Sequence, residues 1–138
     1  DVCSSDLEGL LKLDTYLTFQ QKAIKVKNEF LSFLNEQKIN GKSVIGYGAA
    51  AKGNTLLNYS GVKPDLLPFV CDAAPSKHGK YLPGSNIPII LPDIIKKEKP
   101  HYILILPWNL AEEISEQLSF IRDWGGKFVT VVPEMHIF

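Results

Sequence analysis

"VIGYGAAAKGNT", residues 44–55, decides how this chain is read. Val44 and Ile45 run into Gly46-Tyr47-Gly48, three alanines follow, and Lys52-Gly53-Asn54-Thr55 closes the stretch. Residues 46–51 fit the spacing Gly-x-Gly-x-x-Gly/Ala at a strand-to-helix turn. In that pattern Gly46 permits the tight turn. Gly48 lacks a Cβ, so backbone can approach a phosphate. Ala51 is small enough for the helix to pack on the sheet. The helix dipole and the first N–H groups favour an anion, expected near the N–H groups of residues 48–50. The bland reading also stands: small residues let a strand turn into a helix, and nothing binds there.

Outward from this turn, short apolar runs alternate with helical stretches. The runs are 43–47, 67–71, 87–90, 102–106 and 127–132. The helical stretches are about 50–60, a short 93–98, and 109–124. In the last, Asn109 is the expected N-cap, Leu110, Ile114, Leu118 and Ile121 share a face, and Gly125-Gly126 stops the helix. Unalternated Val- and Ile-rich runs separated by helices indicate a parallel sheet covered on both faces. Right-handed crossovers put the 43–47 strand in the centre, flanked by 67–71 and 102–106, with the glycine turn at a switch point. Before the sheet, Tyr16, Phe19, Ala23, Val26, Phe30 and Phe33 recur at helical spacing, which predicts a helix over 15–38. Asp14 or Thr15 would cap it and Asn40-Gly41 would end it. Its apolar face packs on the core, or against another subunit or domain.

Several side chains converge on the carboxyl edge of such a sheet, where ligands bind. Asp72 ends the second run, and an acid there can bond a ribose hydroxyl. Lys52 flanks the turn as a point charge for a phosphate. The long loop 72–86 adds Ser76, Lys77, His78, Lys80 and Tyr81, which are either solvated or ligand-facing. Pro107, Trp108 and Asn109 leave another strand at the same edge, where Trp108 stacks on a ring or covers the sheet end. His78 has no carboxylate in local reach to orient it as a base, so it reads as a surface or phosphate-contacting residue. Cys71, on an apolar strand beside Asp72, reads as a packed thiol. His101 reads as the start of a strand, and Glu134 and His136 lie past the last predicted strand, with Glu134 either meeting the ligand edge or, the favoured reading, solvated. A mononucleotide P-loop fits poorly, because Asn54 occupies the position of its lysine.

The bulk numbers bound the function. With 138 residues there is room for one domain with a real core. Fifteen basic and fifteen acidic residues cancel, which argues against general nucleic-acid or membrane-surface binding. Two cysteines in unlike contexts make neither a disulfide framework nor a zinc quartet, and a reducing cytoplasm is the default. No apolar run is long enough to span a membrane. The opening "DVCSSDLEGL" has neither a basic nor an apolar signal region and no initiator Met, and reads as the interior of something longer.

Four stretches in order, "GYGAAAKGNTLLNY", "DAAPSKHGKYLPGSNIPI", "YILILPWNL" and "GGKFVTVVPE", resemble the C-terminal domain of the S-adenosylmethionine-dependent C-methyltransferases of nucleotide-linked deoxysugars. The resemblance covers about residues 14–135. It implies an α/β fold: a Rossmann-like open parallel sheet of about five strands with helices on both faces, plus a long N-terminal helix. It implies one domain over 1–138, with 1–41 as the N-terminal segment and helix and 42–138 as the core, belonging to a longer cytoplasmic enzyme. S-adenosylmethionine, zinc and the catalytic residues would belong to upstream domains, leaving none of them here. This module would help hold a nucleotide-sugar against the upstream methyltransferase domain. Carried over by motif, its substrate-binding residues would be Gly46, Tyr47, Gly48, Ala49, Ala50, Lys52, Gly53 and Asn54 in the turn. Asp72, Lys77, His78 and Gly79 would follow from the loop, and Pro107, Trp108 and Asn109 from the last edge. Asp72-Ala73-Ala74-Pro75 departs from the more polar Asp-Asp-Asn-Pro associated with such domains, which weakens any claim for Ala73 and Ala74 as polar ligands. The rival readings are an NAD-type dehydrogenase domain using the same turn, and a pure interaction module docking through the 16–33 face.

Overall fold

The computed structural model describes the backbone of residues 2–132 and 134–138, and the side chains of residue 13 and of 15 onward apart from 133. Helix α1 (Val2–Ile39) leads into β1 (Val44–Tyr47), α2 (Ala51–Ser60), β2 (Val70–Cys71), β3 (Ile89–Ile90) and α3 (Ile94–Glu98). Then come β4 (Tyr102–Ile105), α4 (Ala111–Gln117), β5 (Lys127–Thr130) and β6 (His136–Ile137). The strands form one sheet in the order β3-β2-β1-β4-β5-β6. The first five are parallel, and β6 runs antiparallel to β5. The central position of β1 and its parallel neighbours are as the sequence predicts. The sixth strand is not: His136 lies within the sheet rather than past it, paired with Thr130.

Alternation along each strand divides the core into two layers. Val44, Leu104, Leu106, Val129 and Val131 face α1 and α2. Ile45, Tyr47, Ile103, Ile105 and Phe128 face α3 and α4. Both faces of the central strands β1 and β4 are apolar because both are covered, so their runs carry no polar alternation in sequence.

Two helices differ from expectation. The stretch 109–124 is not one helix. A 3-10 turn (Trp108–Leu110) precedes α4, and a second one (Ser119–Trp124) follows it. Leu110 rather than Asn109 stands at the N-cap of α4. The tighter winding lines up every third residue, so Leu118, Ile121 and Trp124 share one face, and the Trp124 indole N–H donates to the Pro100 carbonyl at 2.9 Å.

Helix α1 starts at Val2, well before the capping position predicted at Asp14 or Thr15. Its sequence holds no Pro to stop it earlier, and its one glycine, Gly9, lies within the helix. The predicted apolar line is also used unevenly. Phe30, Phe33 and Leu34 are buried, and Phe33 meets Tyr102 edge-on with ring centroids 5.1 Å apart. Tyr16 and Phe19, on the same line, are 58% and 68% exposed. Phe30→Ala should therefore cost about 3–5 kcal/mol in urea unfolding of this chain, and Phe19→Ala under about 0.5 kcal/mol. Equal losses would mean that the whole of α1 is docked.

Candidate functional site

Between β2–β1 on one side and β4–β5 on the other, the chain reverses direction across the sheet, and the crevice lies at the carboxyl ends of β1 and β4. The structure brings there the three segments singled out in the sequence: the turn 48–53, the loop from Asp72, and Pro107–Asn109.

The turn is held by its own neighbours. Gly48 N–H donates to the Cys71 carbonyl at 2.7 Å, Ala49 N–H to Asp72 Oδ2 at 2.7 Å, and Ala50 N–H to the Gly48 carbonyl at 3.0 Å. All three donors expected to meet a phosphate are thus engaged inside the chain. Helix α2 makes its first intrahelical bond from Asn54 N–H to the Ala50 carbonyl. Ala51, Lys52 and Gly53 come before it, and no acceptor among the described residues meets their N–H groups. The open donors at this edge are therefore 51–53, one turn further along than the sequence suggests.

The glycines also act differently. Gly48 sits at φ +91°, and a Cβ there would come 2.6 Å from Pro107 Cδ. The space kept free by Gly48 is filled by a proline ring, not left for a phosphate. Gly48→Val would thus test folding before binding. Ala51 is exposed and does not set the helix-to-sheet distance. Gly53 does: a Cβ there would come 2.6 Å from the Leu106 Cβ. Consecutive residues Leu106 and Pro107 thus require two glycines five apart. The signal for Gly53 was present in the sequence, since a glycine inside a helix costs about 1 kcal/mol and needs a packing reason.

Asp72 is the hub of the loop. Oδ2 accepts from Ala49, Oδ1 accepts the Ala74 N–H at 2.8 Å, and Lys77 Nζ lies 3.5 Å from Oδ2. The same ammonium donates to the Ala49 carbonyl at 2.8 Å. His78 Nε2 is 2.6 Å from the Asp72 carbonyl. A carbonyl only accepts, so Nε2 carries the hydrogen, and the neutral ring has Nδ1 left as an acceptor. Asp72 and Lys77 are thus occupied in fastening the loop to the turn, whereas a ribose or phosphate role would need them turned outward.

The other predicted residues divide. Lys52 and Asn109 are exposed at the edge, and Ala50, Pro107 and Trp108 are half-buried, with Trp108 packed against the α1/α2 core. Gly46 is buried in β1 against Val70. Tyr47 is buried in the opposite layer, and burial first, then Asp72 and Cys71, push its hydroxyl pKa up. Asn54 Oδ1 is buried with no hydrogen-bond partner among the described residues. Gly79 N–H donates to the Ile89 carbonyl at 3.3 Å. The loop is more ordered than its composition suggests. After a 3-10 turn (Pro75–Lys77) it folds back, with Ile89 N–H on the Lys80 carbonyl and Leu82 and Ile87 buried, leaving Ser76, Lys80 and Tyr81 exposed. Among the described residues no three His, Cys, Asp or Glu side chains gather as a metal set, so they do not fit the zinc that the resemblance implies for the longer enzyme. No described helix is long and apolar enough to cross a membrane.

Burial pushes the Cys71 thiol up to about 12. At pH 8 roughly one thiol in ten thousand is then ionised. In a Cys3→Ser chain at pH 8, where Cys71 is the remaining thiol, a maleimide should leave the native protein unlabelled and label it fully in urea. The sign of the linkage follows. The stabilisation from the protonated thiol is complete below pH 9 and is lost as pH rises from 9 towards 12. Rapid native labelling at pH 8 would contradict the packed geometry.

A family profile described as the C-methyltransferase C-terminal domain matches residues 4–133. The C-methyltransferase NovU of Streptomyces niveus is 34% identical over 130 residues, which are 94% of this chain and 31% of that protein. The chain therefore spans about a third of the length of this relative. Among solved structures, a UDP-D-quinovosamine 4-dehydrogenase from Vibrio fischeri superposes with a TM-score of 0.49 at 22% identity, over 67% of this chain and 79% of its own.

Proposed function

The chain belongs to the family of C-methyltransferase C-terminal domains, and from that premise we propose that it anchors the diphosphate of a nucleotide-linked sugar at the carboxyl edge of its sheet. Methyl transfer from S-adenosylmethionine is then the work of another part of the enzyme, and the zinc of the family belongs there too. The observation that carries this reading is the open start of α2. Three backbone N–H groups, those of Ala51, Lys52 and Gly53, point out of a helix terminus at the switch point of the sheet. Lys52 adds an exposed cation beside them. The fastened turn beneath them supports the same reading, because donors fixed in place lose little entropy when an anion arrives. The state of Asp72 disfavours the dinucleotide alternative, in which that acid takes a ribose diol.

Ala51→Pro tests it. Ala51 is the first helical residue, where proline is well tolerated, and Ala50 already has the extended backbone (φ −109°, ψ 157°) that a following proline needs. The substitution deletes one open donor and leaves the helix intact. By calorimetry, thymidine or uridine diphosphate should bind this chain about tenfold more weakly after Ala51→Pro, equivalent to about 1.4 kcal/mol, and about fivefold more weakly after Lys52→Ala. S-adenosylmethionine should not bind. Unchanged diphosphate affinity in a folded Ala51→Pro chain would remove the phosphate from this helix.

A further inference from the structure

The N-terminal half of α1 carries apolar surface that this domain leaves uncovered. Leu13, Tyr16, Leu17, Phe19 and Ile24 are each between 47% and 68% exposed. At 100° per residue they span about 160° of the helix circumference, wider than one seam. The charges are distributed the wrong way for a solvated helix. Residues 13–24 include two charged residues, Asp14 and Lys22, whereas the docked stretch 25–38 includes Lys25, Lys27, Glu29, Glu36 and Lys38. At the foot of this surface a nearly all-apolar groove of about 300 Å³ opens between α1 and α2, lined by Phe19, Ala23, Leu56 and Tyr59 among others.

The position of this surface is fixed by the sheet. Phe33 meets Tyr102, the first residue of β4, at the amino edge. Val26 shares the groove with Val132, two residues past the end of β5, at the carboxyl edge. Seven residues of α1 thus climb the sheet from one edge to the other. The helix continues back to Val2, so about 30 Å of it stands beyond the carboxyl edge, on the side of Lys52 and Asn109.

The matched relative is about three times the length of the matched stretch, and the family's domain is C-terminal, so in an enzyme of that build most of the chain arrives through α1. We infer that the segment preceding α1 in the complete gene product packs on the Leu13–Ile24 surface and the groove below it. This rests on the family membership and not on the phosphate site.

Amide hydrogen exchange tests it without any ligand. Residues 13–22 should exchange at least tenfold more slowly in the complete gene product than in the 138-residue chain. Leu17→Asp with Phe19→Asp should erase that difference and leave exchange in residues 44–60 unchanged. The same pair of substitutions should leave the melting temperature of the 138-residue chain unaltered, since both side chains are exposed there. Equal exchange in the two proteins would overturn the inference. So would a 138-residue chain that sediments as a dimer with residues 13–22 already protected, because a second copy would then be the occupant. A gene that encodes nothing ahead of α1 would overturn it as well. Failure to bind a nucleoside diphosphate would alter none of these results.

Discussion

The carboxylate of Asp72 accepts one backbone hydrogen bond from Ala49 and one from Ala74, and Lys77 bridges it to the Ala49 carbonyl. Hydrogen bonds to a charged, mostly buried acceptor contribute about 1.5–3 kcal/mol each, whereas the part-exposed Lys77 ion pair contributes less than about 1 kcal/mol. The two amides matter more than the salt bridge. They tie the glycine turn to the end of β2 and to the loop that follows. Pro107 closes the arrangement from the third side, against the bare Cα of Gly48. The carboxyl edge is built from these three contacts, and each removes a group that sequence reasoning had assigned to a ligand.

That substitution explains which parts of the site were legible. The stretch 44–55 identifies its strand, turn and helix, because apolar runs and glycine spacing are local properties. The convergence of Asp72 and Pro107–Asn109 on this turn also follows from sequence, since the topology of a parallel sheet places strand ends together. The partners of individual groups do not follow. Nothing local says that the Asp72 carboxylate reaches across 23 positions to Ala49, or that a proline fills the space above Gly48. Hidden for the same reason were the two-residue β6, which is too short to leave a periodic trace, and the break after α4. The latter is set by where Ile121 and Trp124 must land on the sheet rather than by any helix-stopping residue.

Helix α1 shows the converse limit. Its line of Tyr16, Phe19, Val26, Phe30 and Phe33 reads as one face, yet the domain buries only the C-terminal part of that line. Periodicity reports that a face is apolar and is silent about what covers it. The height of the sheet decides: about seven residues of α1 suffice to cross it, and ahead of them the described side chains of Leu13, Tyr16, Leu17 and Phe19 are exposed.

The anion site proposed above lies at residues 51–53, where the backbone donors are open, rather than at 48–50, where they are engaged, and amide chemical-shift mapping reads both at once. Nitrogen-15-labelled chain titrated with a nucleoside diphosphate should show its largest shifts at the Ala51, Lys52 and Gly53 amides. The Ala49 and Ala74 amides should stay in place, still held by Asp72. Dominant shifts at Gly48, Ala49 and Ala50, accompanied by movement of Ala74, would mean that the ligand displaces the Asp72 carboxylate and takes the turn itself, and would contradict the site described here.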